Sequence, residues 1–112
     1  LYLLADEDIS LDDSVFTDFF DTQKATLKSI SKLAKLTNSR VLPCMCTYSF
    51  ESNSFFFKVF PELDNFPSNN IDEDCLKINM CLQQQILFDV SQYMWTLRIY
   101  KHRPDGSDVY KI

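Results

Sequence analysis

A chain of 112 residues has room for one domain at most, and with 46% hydrophobic residues, ten of the 112 being Phe, it is too apolar for disorder. A single Gly, where average usage would give about eight, excludes a glycine-rich phosphate loop, and a single His excludes a multi-His metal site. The net charge of −5 argues against a general nucleic-acid binder, so no nucleic-acid partner is expected.

The chain opens with Leu1–Ala5, whose unbroken apolarity predicts a short buried strand. It runs into the acidic loop Asp6-Glu7-Asp8, placed where open α/β sheets bind ligands. Ile9–Asp21 reads as irregular, anchored by Phe16, Phe19 and Phe20. The first 21 residues hold seven acids and no base, whereas residues 22–48 hold five bases and no acid.

The spacing of Leu27, Ile30, Leu33 and Ala34 predicts a helix over Thr22–Thr37. Asp21 or Thr22 suits its N-cap, and Asn38 its left-handed C-terminal position. On another face, Lys24, Lys28, Lys32 and Lys35 recur every three or four residues as a basic stripe. A solvated face, an acidic protein partner and anionic lipid headgroups all fit such a stripe.

Val41–Phe50 and Phe55–Phe60 read as two strands of a β-hairpin around the turn-like Glu51–Ser54. Pro61–Asn70 reads as a loop and Ile71–Val90 as a helix, with Asp72, Glu73 and Asp74 at its positive end. Gln92–Lys101 fits strand or short helix; His102–Gly106 is a turn and Val109–Ile112 a tail. Cys44 and Cys46 share a strand face, while Cys75 and Cys81 lie about 240° apart on a helix, so the four suit small core hydrophobes better than a zinc site. No apolar run reaches the 18 or so residues of a transmembrane helix.

The most specific stretch joins Gln92-Tyr93-Met94-Trp95 to Arg98, Tyr100, Lys101 and Arg103-Pro104-Asp105-Gly106. It pairs aromatic anchors with three cations suited to a phosphate or carboxylate. Equally, those cations suit a helix end, capping carbonyls and covering apolar surface.

This run resembles the C-terminal signature of the lipid A biosynthesis late acyltransferases. Asp6-Glu7-Asp8 is similar to the family's D-x-D, Ser14-Val15-Phe16 with Phe19-Phe20 to its S-V-F…F-F segment, Ala25-Thr26 with Leu33-Ala34-Lys35 to its A-T…L-A-R stretch, and Val41-Leu42-Pro43 to its V-x-P strand. The resemblance implies a partial α/β acyltransferase-type domain over residues 1–112, a mixed sheet with a β-hairpin and two main helices. It also implies fatty acyl transfer from acyl-carrier-protein to a hydroxyl of a lipid A precursor, at the cytoplasmic face of the inner membrane, with no cofactor. Asp6, Asp8, Arg98, Lys101 and Arg103 would bind substrate. Tyr93, Trp95, Pro104 and Gly106 would be structural, and Lys24, Lys28, Lys32 and Lys35 would meet the acidic carrier or headgroups.

The family's His-x4-Asp/Glu base element lies upstream of these motifs. His102 does not supply it, because Gly106 and Ser107 stand where the acid would be. The chain is therefore expected to be the last third of a longer enzyme, inactive and poorly soluble alone. The family's Gly, Pro and Thr after the paired Phe are here Asp21, Gln23 and Lys24, and a helix Gly is Ser29. The competing reading is a non-enzymatic protein-binding module, or a thiol or metal module using Cys44 and Cys46.

Overall fold

The computed structural model describes residues 1–111. Its elements in chain order are β1 (Ser14–Phe19), β2 (Thr22–Leu27), α1 (Ser29–Thr37), β3 (Cys44–Ser49), β4 (Ser54–Val59) and α2 (Ile71–Phe88), followed by a 3₁₀ turn at Val90–Gln92. The class is α/β, with the two main helices and the β3–β4 hairpin expected from the pattern. The sheet is divided into two separate antiparallel hairpins rather than one mixed sheet.

The first hairpin corrects the helix expected over Thr22–Thr37. Residues 22–27 pair with residues 14–19, with Val15 opposite Thr26, Thr17 opposite Lys24 and Phe19 opposite Thr22. Pairing puts Phe19, Lys24 and Thr26 on one face, and all three are fully buried. The turn between the strands is Phe20-Asp21, both at positive φ (47° and 58°). That is the turn geometry that suits the right-handed twist of a hairpin, built without the usual Asn-Gly.

Only the second half of the expected helix is helical. Lys28 precedes it without a side-chain cap, so neither Asp21 nor Thr22 caps it. Asn38 does take the left-handed position (φ 51°, ψ 42°), its N–H donating to Ala34 O. Leu1–Ala5 forms no ladder, and Leu1 to Leu4 are exposed. Apolar composition makes a strand only where a neighbouring backbone supplies hydrogen bonds.

α2 is the centre of the structure. Asn70 caps its N-terminus, accepting from Asp72 N and Glu73 N at 3.1 and 3.3 Å. One turn in, the buried Asp74 carboxylate accepts from Ser31 Oγ of α1 at 2.5 Å and from Ser68 N at 2.9 and 3.1 Å. Farther along, Asn79 Nδ2 donates to Thr26 Oγ1 (2.8 Å) and Asp18 O (3.2 Å) of the first hairpin. The core proper is Phe19, Ile86 and Ile99, with Phe20, Leu82, Tyr93, Leu97 and Tyr100 packed around it. Burying a side chain such as Phe19 contributes about 2–3 kcal/mol.

Of the stretch Gln92–Lys101, Gln92 ends the 3₁₀ turn, and residues 93–101 are neither strand nor helix but a chain of turns that closes this core. Of the cysteines only Cys75 is fully buried; Cys44 and Cys81 are half-buried and Cys46 is exposed, so the expectation of four core thiols holds in full for one. Ile112, at the end of the expected tail, lies outside the described residues.

Candidate functional site

The first eight residues and the last described quarter of the chain meet. Asp8 is the hinge of that meeting, its side chain fully buried. One oxygen accepts from His102 N at 2.7 Å and the other lies 2.6 Å from His102 Nδ1. Two residues earlier, Asp6 Oδ2 accepts from the Tyr93 hydroxyl at 3.0 Å. Burial, then the charge of Asp6, holds the Tyr93 phenol well above its ordinary range, so it remains a donor. The two carboxylates are thus held by Tyr93 and His102 rather than by Arg98 or Arg103.

Lys24 sits beneath this acidic loop, not on a helix stripe. It is fully buried on β2, and its Nζ donates to Ala25 O at 3.1 Å. Burial pushes the amine below its ordinary value, while Asp8 and then Asp6 pull it part of the way back. Pairing in β2 turned this side chain inward, so it offers no charge to an outside partner. The other three lysines stay on or beside α1. Lys28 and Lys32 flank Asp13, with Lys28 Nζ 4.0 Å away and Lys32 in direct contact. Lys35 reaches Asn69 Oδ1 at 3.3 Å.

The C-terminal motif splits into two roles. Tyr93, Tyr100 and Ile99 face inward, and the Tyr100 hydroxyl donates to Phe19 O at 2.7 Å. Trp95 stacks edge-on against Tyr93, with centroids 4.9 Å apart, and donates to Val90 O at 2.8 Å. Arg103 donates to Gln23 O at 3.0 Å and lies over the Tyr100 ring, while Arg98 lies 5.8 Å from the Tyr110 ring centroid. Arg98 and Lys101 are exposed beside the acidic loop, sharing a small hollow with Glu7 and Asp8. Pro104 and Gly106 are exposed in the closing turn. There Gly106 (φ 74°) donates to Arg103 O at 3.0 Å, and a Cβ would meet nothing within 4 Å. The glycine is needed for its backbone angle rather than for space.

Sequence reasoning missed Lys24 and His102 as members of this cluster. No local signal marked Lys24 as inward, because on β2 it shares a face with Thr22 and Thr26 while the apolar Ala25 and Leu27 lie on the other. Nothing in the local sequence ties residue 102 to residue 8.

A family model for bacterial lipid A biosynthesis acyltransferases matches residues 1–102, spanning the acidic loop and most of the C-terminal motif. The chain belongs to this family. Among its relatives is a lipid A biosynthesis acyltransferase of Haemophilus influenzae, 33% identical over 109 residues, covering 97% of this chain and 34% of that protein. The lipid A biosynthesis myristoyltransferase of Escherichia coli is 31% identical, over 94% of this chain and 32% of its own length. The palmitoleoyltransferase of the same organism is 22% identical, over 95% of this chain and 35% of its own. The chain therefore spans about a third of the length of the curated relatives it matches. The matched region ends at His102, so Arg103 to Gly106 extend the motif beyond it.

Among the described residues no helix is long and apolar enough to cross a membrane, and no group of three or more His, Cys, Asp or Glu side chains could hold a metal ion.

Proposed function

We propose that this chain is the substrate-handling part of an acyltransferase that moves a fatty acyl chain from acyl-carrier-protein to a hydroxyl of a lipid A precursor. The observation that carries the proposal is the family match over residues 1–102. The catalytic His-x4-Asp/Glu element belongs to a part of the enzyme outside these 112 residues. There its His takes the proton of the acceptor hydroxyl, whose oxygen attacks the thioester carbonyl and displaces the carrier's thiolate. His102 is not that base, because Gly106 and Ser107 stand where the element's acid would be. Reaction takes place at the cytoplasmic face of the inner membrane.

Within the chain, Asp6 and Asp8 act by fixing the loop that carries Arg98 and Lys101 at its rim. Those two exposed cations suit a phosphate of the lipid A precursor. Lys28, Lys32 and Lys35 suit the acidic carrier protein, although Asp13 offsets part of their charge.

The test is an assay with acyl-carrier-protein thioester and a lipid A precursor, using the 112-residue chain and the full open reading frame that encodes it. The full-length protein is expected to transfer acyl groups and the 112-residue chain alone to transfer none. An Arg98→Ala, Lys101→Ala pair in the full-length enzyme is expected to raise KM for the precursor at least about tenfold, the worth of roughly one charge-assisted contact. An open reading frame without a His-x4-Asp/Glu element, or a full-length protein without transfer, overturns the reading.

A further inference from the structure

A cleft of about 1090 Å³ is lined by Leu1–Ala5, by β3 and the residues before it, and by apolar side chains of both helices, including Ile30, Leu33, Ile78 and Leu82. Polar side chains, among them Asp6, Glu7, Arg40 and Asp89, share its lining, and the edge of β3 adds backbone donors and acceptors. β3 pairs with β4 on one side only. Phe60 N donates to Pro43 O, which fixes the alternation: residues 43, 45, 47 and 49 bond toward β4, and residues 44, 46 and 48 turn their N–H and C=O outward.

Two amide side chains occupy the ends of that outer edge. Gln85 Nε2 donates to Cys44 O at 3.0 Å. Gln92 donates to Tyr48 O at 2.9 Å and accepts from Tyr48 N at 3.2 Å, copying the bonds of a neighbouring strand. Between them, Cys46 N–H and C=O meet no partner among the described residues, and Cys46 lines the cleft. Leu1–Ala5 lines the same cleft without ladder partners, and Leu1 to Leu4 are exposed.

We infer that this cleft is an acceptor slot for one extended, apolar segment of the acyltransferase domain, which hydrogen-bonds the β3 edge at Cys46 and buries its side chains against α1 and α2. An open edge calls for a backbone with alternating donors and acceptors, and the apolar walls call for apolar side chains. The chain accounts for about a third of the length of its relatives, so a domain of their size holds some two thirds of its polypeptide elsewhere, and that is where the segment comes from. The inference rests on the proposed function, in which the rest of the enzyme completes this part.

The experiment mixes the purified 112-residue chain with the two thirds of the Haemophilus influenzae relative that it does not match, expressed as a separate polypeptide. Co-purification in a one-to-one complex is expected, with exchange of the Cys46 amide slowed at least about 100-fold. Cys46→Pro removes only an outward N–H, at an edge position that tolerates Pro. It should keep the circular dichroism of the free chain and weaken the complex at least about tenfold, whereas Cys46→Ala keeps the amide and should bind normally. The inference is overturned by no complex with the unaltered chain, by equal binding of Cys46→Pro, or by protection of Cys46 that arises from self-association or added fatty acid instead. A complex that forms through Cys46 but transfers no acyl group leaves the slot standing and refutes the proposed function; a complex that transfers but ignores Cys46→Pro does the reverse.

Discussion

Removing Asp8 tests whether the acidic loop and the C-terminal motif form one charge-balanced unit. Asp8→Ala deletes the acceptor of two charge-assisted hydrogen bonds, from His102 N at 2.7 Å and with His102 Nδ1 at 2.6 Å, at a side chain with no solvent exposure. Each such bond is worth about 1.5–3 kcal/mol, so the direct loss is about 3–6 kcal/mol. Asp8 is also the foremost carboxylate balancing the fully buried Lys24. Its removal leaves that amine with Asp6 alone, and an under-compensated buried charge adds to the cost. Lys24→Met removes the charge while keeping a flexible apolar stem of similar length. The double variant Asp8→Ala, Lys24→Met should therefore be more stable than Asp8→Ala alone, by about 1–2 kcal/mol. Urea unfolding at pH 7, followed by tryptophan fluorescence and circular dichroism, gives all four corners of the cycle. A cost below about 1 kcal/mol for Asp8→Ala, or strict additivity with Lys24→Met, refutes the account of a shared charge network.

Asp21→Gly should stabilise the chain by about 0.5–1 kcal/mol in the same unfolding assay, because Asp21 holds φ at 58° in the first hairpin turn; a loss of stability there refutes the turn geometry. The thiols should separate by reactivity: exposed Cys46 reacts with a disulfide reagent at pH 8, while Cys75, which burial and then Asp72 push up to about 11, reacts only on unfolding. Burial opposes ionisation of Asp74, but its hydrogen bonds from Ser31 and Ser68 win and lower its pKa. Its stabilising contribution is accordingly complete above the unfolded carboxylate value of about 4 and is lost as pH falls through the lower folded value. Asp74→Asn should cost about 2–3 kcal/mol at pH 7 and flatten stability against pH in the acid range, which unfolding curves from pH 2 to 7 will show.

The parts of the fold that local chemistry determines were legible in the sequence. Periodicity marked α2, the acids at its start marked its positive end, and Asn38 marked the end of α1. What was not legible depends on pairing. Thr22–Leu27 has apolar spacing compatible with a helix, and its turn is Phe-Asp rather than a glycine dipeptide, so the first hairpin carries no local signature. The misplacement of Lys24 follows directly: a residue on an imagined helix face became an inward residue of a strand. Leu1–Ala5 failed as a strand for the opposite reason, since apolarity shows what is to be buried but not which backbone pairs with it.

The site itself was half legible. The acidic loop and the aromatic–cationic motif each stood out, yet their union spans 94 positions between Asp8 and His102, and no spacing rule covers that distance. The union also changes what the motif means. Tyr93, Ile99 and Tyr100 are spent on the core, and Arg103 on Gln23 and the Tyr100 ring, so conspicuous aromatics and one of three cations serve the fold. Arg98 and Lys101 then project from a base fixed by Asp6–Tyr93 and Asp8–His102. Fixing the backbone beneath an exposed cation lowers the entropy lost when it binds a phosphate, because only the side chain remains to be ordered. In the proposed function, the carboxylates that resemble a family D-x-D act from below: the half-buried Asp6, held by Tyr93, and the buried Asp8 side chain, which faces His102 and balances Lys24, set the position of the two cations that face solvent.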